Sequence, residues 1–226
     1  MFPPLPRFSF HWDLNPGHRQ KATYGPRQSA VLNREGLNEA RRCISAWPGY
    51  APTPLVELPG LAGALHIDRI WYKNEAERFG LRSFKPLGGA YAVQRCLLRE
   101  VAARSGRGDI DPAEILDGRH KDIISQVTVT AATDGNHGRS VAWGASMFGC
   151  RCVIYINEAV TVAREEAIAA YGAEVRRNPG SYDDAVREAF AVARREGWHV
   201  IPDTTDGTII DAPRDVTQGY AVMAAE

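Results

Sequence analysis

The 226-residue chain carries 27 Lys and Arg against 27 Asp and Glu, so it is formally neutral at pH 7, and 44% of its residues are apolar. That is the composition of a soluble globular chain, with no electrostatic footprint for nucleic acid or for an anionic membrane surface. The longest mostly apolar stretch, residues 141–150, is far short of the roughly 18 residues a membrane span needs.

In chain order, residues 1–7 interrupt their apolar positions with proline and lack the hydrophobic run of a secretory signal, which makes the cytoplasm the expected compartment. Up to about Gly63 the sequence is rich in Pro, Gly and Trp and reads as a packed arm with one helix near 37–46. A strand is predicted at 70–76, then a loop through 78–84 and a helix opening at Pro86, where proline suits the first turn. From about Asp122 the pattern becomes regular. Strands are predicted at 123–130, 151–156, 173–176 and 198–202. Helices are predicted at 136–148 and 161–171, and a third lies behind Ser181, with Asp184 completing a capping box. Apolar residues at 182, 185, 186, 189, 190 and 193 give that third helix a core face, which assigns Tyr182 and Phe190 to the interior. Gly149, Gly172 and Gly197 sit where helix C-caps belong. Residues 214–226 read as a helix without a Gly or Asn stop, so the chain is expected to end mid-fold. Strands alternating with helices predict an α/β fold with a parallel sheet and right-handed crossovers.

In such sheets ligands bind at the carboxyl ends of the strands, near helix N-termini. Two segments meet that description. In 130–138 (TAATDGNHG), Gly135 permits a tight turn and close approach to a ligand, and the amides from Asn136 onward face the positive end of a helix dipole. The competing reading is a plain turn in which Asp134 or Asn136 caps the helix. In 81–89 (LRSFKPLGG), Lys85 precedes a helix whose positive end should lower its pKa and free its amine for a Schiff base; the competing reading is a solvated surface lysine. The glycine pair 88–89 implies close approach of something bulky. Cys43, Cys96, Cys150 and Cys152 fit neither a disulfide framework nor a paired CxxC zinc site, and the histidines show no metal-binding spacing, so no metal is expected. A GxSxG elbow is missing as well.

Ser83-Phe-Lys85 with Gly88, followed some 50 residues later by Gly135-Asn-His-Gly138, resembles the fold-type II pyridoxal-phosphate enzymes of the serine/threonine dehydratase and tryptophan synthase β class. The runs 74–89 (NEAERFGLRSFKPLGG), 133–139 (TDGNHGR) and 180–184 (GSYDD), with Asp203-Thr204 and Gln218-Gly-Tyr220, resemble the diaminopropionate ammonia-lyase branch. Dehydratases usually carry Ser where this chain has Asp134. The resemblance implies a tryptophan synthase β-like architecture of open parallel sheets with flanking helices. Residues 123–198 would form a small α/β domain, and 1–122 with 199–226 would form part of a larger, here incomplete, cofactor domain. It further implies that Lys85 holds pyridoxal 5'-phosphate as a Schiff base, that Asn136 contacts its phenolic oxygen beside Gly135, and that Asp134 lies on the opposite face of the cofactor. Asp203 would bind the substrate's side-chain amine, with Thr133 and His137 completing the substrate site. On its residue type alone, His137 reads as a helix-start residue that packs the turn.

The implied reaction is α,β-elimination of ammonia from 2,3-diaminopropionate, giving pyruvate and ammonia, with a base on each face admitting D and L substrates. A serine/threonine dehydratase-like lyase and an inactive truncated product are the alternatives. Family members bind the cofactor phosphate on a glycine-rich loop in a part of the fold beyond position 226, so the chain alone is expected to be inactive. The full-length protein is expected to be a homodimer.

Overall fold

The computed structural model describes residues 13, 15, 16, 23–204, 207 and 210–226. The opening of the expected arm, including residues 1–7, lies outside these. The described part of the arm begins with α1 (Pro26–Val31) and α2 (Arg34–Ser45). Asn33 starts α2 by accepting a hydrogen bond from the Gly36 amide at 2.7 Å, and the helix buries Ala40, Cys43 and Ile44.

A small antiparallel pair follows, β1 (Leu55–Glu57) and β2 (Trp71–Lys73), with α3 (Pro59–Leu65) between them. The strand expected over 70–76 is cut short. Asn74 accepts from the Ala76 amide, and the guanidinium of buried Arg78 folds back onto Glu75, so Glu75–Gly80 becomes a 3-10 segment. Then comes α4 (Lys85–Ser105), with Pro86 in its first turn as predicted, almost wholly buried through its first half.

After α5 (Pro112–Leu116) a second expectation fails. Residues 121–124 form a helical turn, α6 (Lys121–Ile124), and the strand β3 (Thr128–Ala132) starts five residues later than predicted. The apolar pair Ile123-Ile124 serves the core beneath α4 from a turn closed by local hydrogen bonds, Ile124 to His120 and Ser125 to Lys121, rather than from an extended strand. The remaining elements follow the predicted alternation: α7 (Asn136–Phe148), β4 (Arg151–Asn157), α8 (Val162–Ala169), β5 (Glu174–Asn178), α9 (Tyr182–Glu196), β6 (His199–Val200) and α10 (Asp211–Ala225). Ser181 and Asp184 form the reciprocal capping box, and Gly149 and Gly197 cap α7 and α9 in the left-handed conformation; Gly172 has the same sign of φ, two residues beyond the Ala170 cap of α8.

Four strands make one parallel sheet in the order β5-β4-β3-β6, with β6 paired to β3 through Val129 and His199. The two-residue period of β4 divides the core. Cys152, Ile154 and Ile156 join the large cluster with α2, α4, α7 and α10, while Val153 and Tyr155 pack with Ala185, Ala189 and Val192 of α9. Tyr182 is not part of that core: as the first residue of α9 it precedes the turn that faces the sheet and stays about one-third exposed, and Phe190 is only half-buried. The close approach implied by the Gly88-Gly89 pair is made by the protein itself. A Cβ on Gly88 would lie 2.4 Å from the Tyr220 ring of α10, and one on Gly89 would lie 1.9 Å from Ser140 Oγ of α7. Among the described residues no helix is long and apolar enough to cross a membrane.

Candidate active site

The carboxyl end of β3 opens onto a cavity of about 510 Å³. Lys85, Thr133, Asp134, Gly135, Asn136, His137 and Asp203, which belong to three separate stretches of the chain, all line it. Lys85 is the first residue of α4, and its amide donates to Ser83 Oγ at 3.1 Å. Just before it Arg82 sits at φ 56°, a left-handed backbone that a non-glycine residue holds only where its surroundings enforce it. The Lys85 ammonium lies 3.3 Å from Asp203 Oδ2, and its nitrogen is 5.4 and 5.3 Å from the centroids of the Phe84 and Tyr220 rings. Both members of the ion pair remain about one-quarter exposed, so the amine is both paired and reachable.

At the start of α7 the capping task falls to neither Asp134 nor Asn136. Thr133 Oγ1 accepts from the amides of Gly135 (3.0 Å) and Gly138 (3.2 Å), and this releases the side chains of Asp134 and Asn136 toward the cavity. Asn157 at the end of β4 donates its side-chain amide to Asp134 Oδ1. Gly138 has a packing reason for being glycine, since a Cβ there would meet Thr133 Cγ2 at 2.2 Å; a Cβ on Gly135 would make only ordinary contact with the Arg164 stem, and Gly135 lines the cavity.

His137 is buried. Its Nε2 lies 2.7 Å from the Ile201 carbonyl, which can only accept, so Nε2 carries the proton. Burial pushes the imidazole pKa down, and the ring is neutral at pH 7. The contact ties the start of α7 to the stretch that leads into Asp203, while Nδ1 is buried and has no hydrogen-bond partner among the described residues.

Sequence reasoning missed three further residues that line the cavity. Tyr182 was assigned to the core, yet it lines the site; burial first, and then the charges of Asp203 and Asp134, push its phenol pKa upward, which keeps it protonated. Arg139 bonds the Leu81 carbonyl at 3.2 Å and bridges α7 to the loop before Lys85. Arg164, in the first turn of α8, lies against the turn at 134–135. The rule that ligands sit at strand carboxyl ends applies to the β4–α8 connection as well, and would have nominated Arg164.

Such a pocket suits a carbonyl compound: an accessible primary amine, two carboxylates and a helix N-terminus share one space. Comparison with known proteins agrees. A family model described as pyridoxal-phosphate dependent enzyme matches residues 46–226. Diaminopropionate ammonia-lyase of Escherichia coli (strain K12) is 40% identical over 200 residues, which make up 88% of this chain and 48% of that protein. Its Salmonella typhimurium (strain LT2) counterpart is 37% identical over 197 residues, 87% of this chain and 48% of that protein. The crystal structure of the Escherichia coli enzyme in complex with D-serine superposes with a TM-score of 0.78 at 35% identity, covering 86% of this chain and 48% of that one. The chain thus spans about half the length of the curated relatives it matches. Its α/β architecture is that of fold-type II, and with the match running from Ala46 through the lysine helix to α10, the chain belongs to the pyridoxal-phosphate dependent enzyme family.

Proposed function

We propose that this chain carries the lysine-bearing part of an ammonia-lyase that eliminates ammonia from 2,3-diaminopropionate to give pyruvate and ammonia. The observation that carries the reading is the placement of two carboxylates, Asp134 and Asp203, in one cavity with the Lys85 amine. The residues present fit pyridoxal phosphate: Lys85 offers an amine for its aldehyde, and Asn136 stands at the positive end of α7 where a phenolate oxygen is favoured. When bound, the cofactor supplies an electron sink for charge developing at the substrate's α-carbon.

The chain's own residues do the rest. Asp203 already engages an ammonium, that of Lys85, at 3.3 Å, and in the reaction it holds the substrate's side-chain ammonium in the same way. Asp134 accepts the α-proton from one face, and the Lys85 amine accepts it from the other once released, which admits both enantiomers. Thr133 holds the Asp134 turn, and neutral His137 holds the approach to Asp203. In this reading 123–198 is the smaller α/β domain, and 1–122 with 199–226 belong to the larger one. The whole protein works as a homodimer in the cytoplasm.

A second reading keeps the cofactor and takes serine or threonine. The pair of carboxylates favours the diamine, because a hydroxyl leaving group needs no counter-charge. Ammonia release by the full-length protein, measured with D- and L-2,3-diaminopropionate, L-serine and L-threonine, separates them: diaminopropionate should lead by a wide margin, and turnover confined to the hydroxyamino acids would overturn the proposal.

A further inference from the structure

A proton acceptor has to stand at a fixed point, and a carboxylate on a turn does not hold its own oxygens in place. Thr133 holds the turn that carries Asp134, but the carboxylate is held from another element. Asn157 is the last residue of β4, and its side-chain amide donates to Asp134 Oδ1. A second bond fixes the direction of the first. Asn157 Oδ1 accepts from the Ala159 amide at 2.8 Å, and a backbone N–H can only donate, so the Asn157 nitrogen has to face Asp134. The place of Asn157 on the sheet is fixed as well. It is 7% exposed and pairs with Asn178 of β5, and the Arg177 guanidinium bonds the carbonyls of Asn157, Glu158 and Val160 at 3.3, 3.0 and 2.8 Å. Asp134 lines the cavity and Asn157 does not. One oxygen of Asp134 is therefore tied back to the sheet, and among the described residues Oδ2 meets no hydrogen-bond donor.

From this geometry we infer that Asn157 is a positioning residue for the reaction, anchoring Asp134 through Oδ1 so that Oδ2 is presented to the substrate's α-hydrogen. The role deepens the proposed function and rests on it. The base on this face is then set by two elements, the β3–α7 turn through Thr133 and β4 through Asn157. A hydrogen bond to a carboxylate is strongest when the carboxylate is ionised, and that is the form that accepts a proton. Among the described residues Asn157 makes no hydrogen bond to Lys85 or Asp203, so its effect should fall on one enantiomer of 2,3-diaminopropionate.

Two variants of the full-length protein separate this role from a merely structural one. Asn157→Asp keeps the shape and the acceptor for the Ala159 amide but turns an oxygen instead of a donor toward Asp134, whereas Asn157→Ala loses both bonds. Ammonia release is measured with D- and with L-2,3-diaminopropionate, alongside pyridoxal phosphate uptake read by absorbance. Asn157→Asp should lower kcat for the Asp134-dependent enantiomer by about 10- to 100-fold more than for the other, the range for a displaced reacting group, with KM and cofactor uptake little changed. Added to Asp134→Asn it should cost that enantiomer little more, because it acts through a carboxylate already removed. If Asn157 only shapes the turn at 157–160, Asn157→Asp will behave as the wild type while Asn157→Ala fails, and the inference is overturned. Equal losses on both enantiomers or lost cofactor uptake in Asn157→Asp, or a full further loss on top of Asp134→Asn, would overturn it too. Failure of the proposed function shows differently: Asp134→Asn would then slow both enantiomers alike, and the inference would fall with it.

Discussion

Replacing Gly219 with alanine tests the packing that sets the surroundings of Lys85. Gly219 lies in the middle of α10, where alanine should stabilise an isolated helix by about 1 kcal/mol. Here the added Cβ would stand 1.9 Å from the Leu87 carbonyl oxygen and 3.0 Å from Gly88 Cα. Both are backbone atoms of α4, so no rotamer change relieves the clash, and α10 must retreat by about 1.5 Å to restore ordinary contact. Overpacking of this kind costs about 1–3 kcal/mol or more; near the upper end, less the propensity gain, the net loss is about 2 kcal/mol. In a chain of this size that corresponds to a fall of about 4–8 °C in Tm, read by thermal unfolding. Because the neighbouring Tyr220 ring lies 5.3 Å from the Lys85 amine, cofactor uptake should weaken in parallel. Gly63→Ala is the control: it lies in α3, where an added Cβ meets nothing within 4 Å, and should stabilise by up to about 1 kcal/mol. A Gly219→Ala chain as stable as the wild type would refute the packing argument.

Three further outcomes follow from the structure. Arg78 is fully buried and bonds Glu75 and Glu226 at 2.7–2.8 Å, so Arg78→Met strands the buried Glu75 carboxylate, leaves Glu226 with Lys73 alone as its cation, and should cost about 3–5 kcal/mol in urea unfolding. Burial opposes the charge of Glu226, but hydrogen bonds from Arg78 and Lys73 win and hold its pKa at about 2, below the ordinary 4.5. A depressed carboxylate stabilises the fold above its unfolded pKa; that contribution should fade as pH falls from about 4.5 toward 2, and Glu226→Gln should flatten this part of the stability-pH curve. In the full-length protein Asp134→Asn should lower turnover of one enantiomer of 2,3-diaminopropionate by about 10²- to 10⁴-fold more than the other, and equal losses in a coupled pyruvate assay would contradict a base on each face.

Much of the fold could be read along the chain, for reasons that are local. The start of α7 at Asn136, the strand from Arg151 and the capping box at Ser181 each follow from residues within one turn of the boundary. The errors arose where the deciding contact lies far away in sequence. Ile123 and Ile124 look like strand until α4 is there to receive them, and Gly88 looks like a ligand contact until Tyr220, 132 positions later, packs on it. Tyr182 has the right spacing for a core face, but a first helical residue is displaced toward the end of the sheet, which is where the cavity lies. The motif residues Lys85, Asp134, Asn136 and Asp203 stand out along the chain as candidates, yet nothing local says that they line one cavity, that the Lys85 amine reaches Asp203 or that Thr133 relieves Asp134 of capping. Arg164 lay outside every motif and emerged only from the shape of the cavity.

The central claim is that the Lys85 amine is the covalent handle for pyridoxal phosphate. Incubation with the cofactor, borohydride reduction and peptide mapping tests it directly, because Lys21, Lys73 and Lys121 are the other lysines and fall in separate peptides. A pyridoxyl label should appear on Lys85 and disappear in Lys85→Ala; a label on another lysine, or one that survives that substitution, would contradict the assignment.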